Sequence, residues 1–165
     1  MSMQRAGALA LRPWTRADRE AWLALFGDAG VVRWMGDAVA DAQRDAVVFE
    51  RLMSRALGPS ERLAFVYAAE LDGEIVGHVE LKRTDLTRTD EWELVYALAR
   101  RAWGRGHGSA LAQWALATAH AHGKRVIATA SPDNRASLRL LAKLGLEVAA
   151  ERGDGRTRLL RERGA

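Results

Sequence analysis

The chain has 165 residues, 48% of them hydrophobic and 28% charged, with a formal charge of +4 and a pI near 10.1, the balance of a globular domain that buries its core without staples; one domain over residues 1–165 is expected. With no cysteine, disulfides, thiolate catalysis and cysteine-based metal sites are excluded. No apolar run approaches the ~20 residues a bilayer span needs, and residues 6–11 are too short for a secretory signal, so a cytoplasmic protein with no membrane partner is expected.

Residues 8–12 read as a first strand ended by Pro13. Thr15 and Asp18 have capping-box spacing, and Ala21, Trp22, Leu25 and Phe26 recur at helical spacing, so a helix is expected over 15–26. Residues 31–36, apolar but bounded by glycines, read as a short helical turn or loop. A second helix is expected over 41–57, with Ala42, Ala46, Phe49, Leu52 and Met53 as its buried stripe, stopped by Gly58-Pro59-Ser60. Residues 62–71 and 74–83 alternate and meet at Asp72-Gly73, the strongest hairpin signal in the chain. After a polar turn, a strand is expected over 91–98. A helix then runs from Ser109 to near His122-Gly123, where His120 and His122 read as surface residues. Residues 126–130 are a short strand buried on both faces. Residues 134–144 form a helix capped by Gly145, and 148–152 pairs with 156–160 through Gly153-Asp154-Gly155.

The passage out of the 91–98 strand carries the chemistry. Trp92, Leu94, Tyr96 and Leu98 alternate with Glu91, Glu93, Val95 and Ala97, the period of a strand with two unlike faces. Arg100, Arg101 and Arg105 then surround Gly104, Gly106 and Gly108. Glycines let a backbone turn tightly and bring its N–H groups to an anion, and a helix N-terminus behind them adds its dipole. The plainer reading is a tight strand-to-helix connection with solvated arginines. A Walker loop fails because Gly108-Ser109 lacks the lysine, and the dinucleotide fingerprint fails because its third glycine is out of place. Nucleic acid is not the expected partner: no aromatic-interleaved platform or helix-turn-helix accompanies the basic clusters. A polyphosphate cofactor accounts for the first cluster more economically.

The segment Arg101-Ala102-Trp103-Gly104-Arg105-Gly106 resembles the (Arg/Gln)-x-x-Gly-x-(Gly/Ala) acyl-coenzyme A loop of the GNAT superfamily of N-acetyltransferases. The expected order of strand, two helices, three strands, helix, strand, helix and two strands resembles that fold, and Asn134-Arg135-Ala136-Ser137 followed by Leu144-Gly145-Leu146 resembles its Asn-x-x-(Ala/Ser)…Leu-Gly-Phe segment. The opening Leu11 to Asp18 and the 31–36 segment are similar to the RimJ/RimL-type branch, which includes ribosomal-protein N-terminal acetyltransferases. The resemblance implies an α+β (α/β) domain, a mostly antiparallel seven-stranded mixed sheet flanked by about four helices. Three departures stand out: Leu141 replaces a frequent tyrosine acid, so that role falls elsewhere or is absent; Ala110 replaces a frequent Glu; Leu146 replaces Phe.

The resemblance further implies acetyl-CoA as co-substrate, no metal, and a primary-amine acceptor, either a protein N-terminus or a small molecule. The amides of Arg105, Gly106, His107, Gly108 and Ser109 would cradle the diphosphate, with Arg100 and Arg101 adding attraction, and Gly104 and Gly106 are needed because a side chain would block approach. The backbone of Ala97, Leu98 and Ala99 would pair with the pantetheine arm, and Leu98 N–H would polarise the thioester carbonyl. Glu93 is the first candidate base and Glu91 the fallback; paired strand carboxylates are the plainer reading of both. Ser137 is the candidate donor to the departing thiolate. Asn134 would bind the pantetheine arm, helix capping being its plainer role. Arg33, Trp34, Glu80 and Glu91 are candidate acceptor contacts, His78 shares a face with Glu80, and Asp28, Asp37 and Asp41 would supply an acidic cleft for a polycation such as an aminoglycoside or polyamine. A GNAT-fold acyl-CoA sensor without efficient turnover is the alternative that Leu141 keeps open. A monomer or homodimer is expected.

Overall fold

Asp72 and Gly73 take φ of 51° and 85° and reverse the chain between β3 (Leu63–Leu71) and β4 (Glu74–Lys82), as an Asp-Gly hairpin requires. The computed structural model describes residues 3–35, 41–56, 63–153 and 155–164. Expectations for Gly36, Asp37, Leu57 to Ser60, Arg62 and Asp154 lie outside the described residues.

The remaining elements in chain order are β1 (Gln4–Ala6), β2 (Leu9–Arg12), a 3-10 turn (Arg16–Asp18), α1 (Arg19–Phe26), α2 (Ala29–Val32) and α3 (Ala42–Ala56) before the hairpin. After it come β5 (Glu91–Leu98), a second 3-10 turn (Arg100–Ala102), α4 (His107–Ala121), β6 (Arg125–Ala130), α5 (Arg135–Lys143), β7 (Leu146–Arg152) and β8 (Thr157–Glu162). One sheet runs β1-β2-β3-β4-β5-β6-β8-β7, with β5·β6 its parallel pair. Eight strands replace the expected seven because Gly7, at φ 58°, folds the three-residue β1 back onto β2; three residues are too few to show alternation. Five helices replace four because the segment around Val31 closes a helical turn. Among the described residues, no helix is long and apolar enough to cross a membrane.

Both faces of the sheet are covered. On one, Val79, Leu81, Leu94 and Leu98 pack with Leu111, Ala112 and Ala115 of α4 and Leu141 of α5. On the other, Ala68 packs with Trp14, Trp22, Phe49 and Met53, and Ala97 with Leu25 and Val31. Leu141 and Leu146 are thus core residues, and Ala110 sits beneath Gly7, where a Cβ added to the glycine would be 3.2 Å away.

The feature that positions the site is a parting of strands. The β5·β6 ladder runs from Glu91↔Arg125 to Leu94↔Ala128 and stops, while β5 stays paired to β4 as far as Leu98↔Gly77. Beyond Leu94 one edge of β5 is therefore open.

Candidate active site

The open edge of β5 leads directly into the glycine loop. Together the end of β5, the loop, the start of α4, the end of β6 and the start of α5 enclose a cleft of about 860 Å³. Helix α4 begins at His107, two residues earlier than the expected Ser109, because Gly106 at φ 81° serves as its N-cap. The first bond that closes the helix runs from Ala110 N to Gly106 O at 3.0 Å. Among the described residues, the amides from Arg105 to Ser109 donate to no carbonyl. Unsatisfied N–H groups at the positive end of a 15-residue helix suit a diphosphate. A Cβ on Gly104 or Gly106 would meet nothing within 4 Å. Their positive φ values of 72° and 81° are what require glycine, rather than crowding by neighbouring atoms.

Not every residue expected around the cofactor converges on the cleft. Ala97, Leu98, Gly104, Gly106, His107, Gly108 and Ser109 line it; Ala99, Arg100, Arg101 and Arg105 do not. Arg100 gives its Nε–H to Asp28 at 2.8 Å and Arg101 donates to Ile75 O at 2.9 Å, so both are anchored outside the cleft, each with guanidinium N–H groups to spare. Ala99 N donates to Val76 O at 2.8 Å, which fixes the phase of the ladder. The amides and carbonyls of Ala97 and Ala99 therefore face β4, and only the intervening Leu98 turns its N–H and C=O toward the opening. The Leu98 carbonyl already accepts from Trp103 Nε1 at 2.7 Å, so at this position the N–H is the backbone group left uncommitted among the described residues.

Across the cleft, Asn134 caps α5, its side chain accepting from Ser137 N at 3.2 Å. The Ser137 hydroxyl lies 3.0 Å from the hydroxyl of Tyr96, which also lines the cleft. Burial pushes the Tyr96 phenol above its ordinary value of 10.0 against the opposing bond to Ser137, so the phenol holds its proton at neutral pH.

The carboxylates separate into two kinds. Glu91 is fully buried outside the cleft, paired with Arg161 and accepting from Arg88 N at 2.9 Å. Burial would raise its pKa, but the hydrogen bond and charge of Arg161 hold it below the ordinary value. Neither the fallback base nor an acceptor contact is open to it. Glu93, two residues on, lines the cleft and is touched among the described residues by Thr129 Oγ1, at 3.4 Å. Glu80 also lines it and is bonded to His78 Nε2 at 2.8 Å and Lys82 Nζ at 3.1 Å. Trp34 reaches the cleft but Arg33 does not: its guanidinium stacks 4.5 Å from the Trp34 ring centroid.

Residues 8–147 match the family described as "Acetyltransferase (GNAT) domain". The chain belongs to the GNAT acetyltransferase family. Among solved structures it is similar to an acetyltransferase from Bacillus anthracis, with 18% identity, a TM-score of 0.75 and coverage of 97% of this chain and 95% of that one. It is also similar to Mycobacterium smegmatis RimJ in complex with CoA-disulfide, with 24% identity, a TM-score of 0.75 and coverage of 97% and 84%. A third similar structure, AAC(6')-Ib in complex with ribostamycin and coenzyme A, has 18% identity, a TM-score of 0.74 and coverage of 94% and 93%. At these identities the likeness is one of fold.

The protein is therefore an acyltransferase of the GNAT family, acting with acetyl-CoA on an amine. In that light the sequence reading missed Tyr96 and Trp103. Tyr96 was hidden in the apolar face of β5, although it is the one residue of that face with a hydroxyl. Trp103 lies inside the loop motif at a variable position, and nothing in the pattern points its indole back to Leu98.

Proposed function

We propose that this GNAT acetyltransferase transfers the acetyl group of acetyl-CoA directly to a primary amine within a ternary complex. The observation that carries this reading is that one cleft joins the unbonded amides of the α4 N-terminus, the Leu98 N–H, the Tyr96–Ser137 hydroxyl pair and Glu93. When bound, acetyl-CoA supplies the activated acyl carbon. The amides of Arg105 to Ser109 hold the diphosphate, and Asn134 keeps its side-chain NH₂ for the pantetheine arm.

Glu93 takes a proton from the acceptor's ammonium, whose pKa is about 10.4 for a lysine-like amine and 7.7–8 for a protein N-terminus. As the amine nitrogen bonds to the acyl carbon, Leu98 N–H donates to the oxygen on which charge develops; such a donor is worth ~2.7–4 kcal/mol. The carbon–sulfur bond would then break, the departing thiolate would take a proton from Tyr96, and the second proton shed by the acylated nitrogen would restore the phenol through solvent. A phenol is a stronger acid than an aliphatic alcohol, so Tyr96 is the proton source and Ser137 orients it. This division of labour replaces the expectation that Ser137 itself donates, and supplies the hydroxyl that Leu141 lacks.

A RimJ/RimL-type placement, with a protein N-terminus as acceptor, draws support from the opening segment and from one similar structure being RimJ. The test is direct: acetyl-CoA should raise the melting temperature, and adding an amine panel should release free thiol. Stabilisation without thiol release from any amine would refute transfer and leave an acyl-CoA binding module.

A further inference from the structure

The half of the cleft away from the α4 N-terminus lies on the sheet face covered by α1, α2 and α3, and its walls and charges restrict the acceptor. Cross-strand register places Glu80 beside Val95 and Lys82 beside Glu93, so both carboxylates share that face. Opposite them stand Trp22, Phe26, Val32, Trp34, Met35 and Val48. The Arg33 guanidinium pins the Trp34 indole from outside the cleft.

Glu80 is a carboxylate already spoken for. His78, 1% exposed, is enclosed by Trp14, Trp22 and Phe26 with ring centroids 5.3–5.9 Å away. Trp14 Nε1, which can only donate, is 3.0 Å from His78 Nδ1. The proton of His78 therefore sits on Nε2 and points at Glu80 Oε1. Lys82 takes the other oxygen. Burial opposes ionisation of Glu80, but the hydrogen bonds from His78 and Lys82 and the charge of Lys82 hold the acid below its ordinary value. Glu80 is thus a balanced, fixed charge that faces a cation of its own.

Glu93 is the less committed of the two, and Asp45 of α3 is a third carboxylate lining this half, its Oδ2 buried without a hydrogen-bond partner among the described residues. The rim is no more acidic. Asp28 accepts from Arg100 and Gly30 N, and Asp41 caps α3 by accepting from Gln43 N and Arg44 N, so neither forms the expected acidic cleft. Arg44 and Lys82 line the cleft instead. Counted over Arg44, Asp45, Glu80, Lys82 and Glu93, this half is one cation short of neutrality. One bound ammonium brings the count to neutrality, so a second would leave this half with an uncompensated cation beside Lys82 and Arg44.

Resting on the acetyl-transfer reading, we propose that the acceptor is a primary amine carried next to an aromatic or branched apolar group, with no second cationic centre. Its apolar group seats among Phe26, Trp34, Met35 and Val48, and its nitrogen lies at Glu93.

The experiment is thiol release from acetyl-CoA with 2-phenylethylamine, with tetrapeptides starting in Phe, Leu or Gly, and with spermidine and kanamycin. Burying the side chain should raise kcat/KM about 10- to 100-fold for the Phe and Leu peptides over the Gly peptide, and likewise for 2-phenylethylamine over spermidine or kanamycin. The free amine and the peptides distinguish the two sources of the same chemistry. Trp34→Ala should raise KM for the apolar amines while leaving the acetyl-CoA melting shift unchanged. Val48→Asp, at a position 41% exposed and so tolerant of charge, should lower the rate with 2-phenylethylamine and raise it with spermidine. Faster turnover of spermidine or kanamycin, or equal rates for Phe and Gly peptides, would overturn the proposal while leaving acetyl transfer standing. Thiol release from no amine, with acetyl-CoA still stabilising the protein, would overturn transfer and the acceptor class together.

Discussion

Replacing Tyr96 by Phe removes one oxygen and leaves the ring beside Gly108 in place, so its two consequences separate cleanly. The structural loss is the 3.0 Å bond to Ser137. An ordinary hydrogen bond contributes ~0.5–1.5 kcal/mol net, and a kcal/mol moves Tm by about 2–4 °C at this chain length, so Tm should fall by roughly 1–6 °C. The chemical loss is the proton source for the thiolate, where a positioned acid contributes about 10²- to 10⁴-fold. At saturating acetyl-CoA and amine, thiol release followed at 412 nm with a disulfide reagent should therefore drop at least about 100-fold, while the melting shift caused by acetyl-CoA persists. Ser137→Ala should cost only about tenfold, because it removes an orienting bond and not the proton. Since burial lifts the phenol above 10.0, any alkaline loss of wild-type kcat from this group should have its midpoint above pH 10. A kcat within threefold of wild type in Tyr96→Phe would refute the assignment. A larger fall in Ser137→Ala would return the donor's role to the serine.

Gly106→Ala places a side chain at φ 81° with no steric neighbour within 4 Å, so backbone strain alone should cost ~1–2 kcal/mol. Its acetyl-CoA Kd should rise tenfold or more by calorimetry, while Gly123→Ala, strained at φ 66° at the far end of α4, should lose similar stability with unchanged Kd. Equal Kd in both would disprove the placement of the diphosphate. Glu93→Gln should lower kcat/KM by about 100-fold or more for a lysine-like amine and less for a peptide N-terminus, whose lower pKa leaves more free base at pH 7.5; equal losses would count against Glu93 as base. Asp18 is held at about 2, against an ordinary 3.8, by its hydrogen bond to Arg12 and by Thr15, with burial opposing. A depressed acid stabilises the fold above its unfolded value and loses that contribution as pH falls through its folded one. Asp18 should thus contribute about 2 kcal/mol at pH 6 that disappears between pH 4 and pH 2. Urea unfolding of wild type and Asp18→Asn should show a stability gap that closes over that window; a gap independent of pH would refute the pairing.

What the sequence made legible was local. The Asp72-Gly73 hairpin, the β5 strand over Glu91–Leu98, the glycine loop and the Asn134 cap each depend on residues within a few positions of one another, and each stands where it was expected. What it concealed was set by partners far along the chain. Arg100 reads as a solvated or anion-attracting cation, and only Asp28, 72 residues away, shows where its Nε–H is anchored. Glu91 and Glu93 share one strand face and one residue type. They differ because β8 brings Arg161 to Glu91, whereas Glu93 is left with the hydroxyl of Thr129. His78 has unremarkable neighbours in sequence, and its tautomer depends on an indole 64 positions earlier.

The location of the site follows from one topological step. β5 leaves an antiparallel neighbour, β4, and must reach a parallel one, β6. A parallel connection needs a crossover, here α4, and a crossover helix begins beside the C-terminal end of the strand it leaves. The amides at its start are therefore delivered to the end of β5, the same end at which the β5·β6 ladder has stopped and Leu98 N–H is unpaired. Had β6 run antiparallel, a two-residue turn would have sufficed and no helix terminus would face the strand end. The free amides at the start of α4 thus stand beside the open end of β5 because of a single reversal in strand order, which is the arrangement the proposed diphosphate and thioester contacts require. Substitutions that close the wedge should abolish cofactor binding even when every side chain in the cleft is retained.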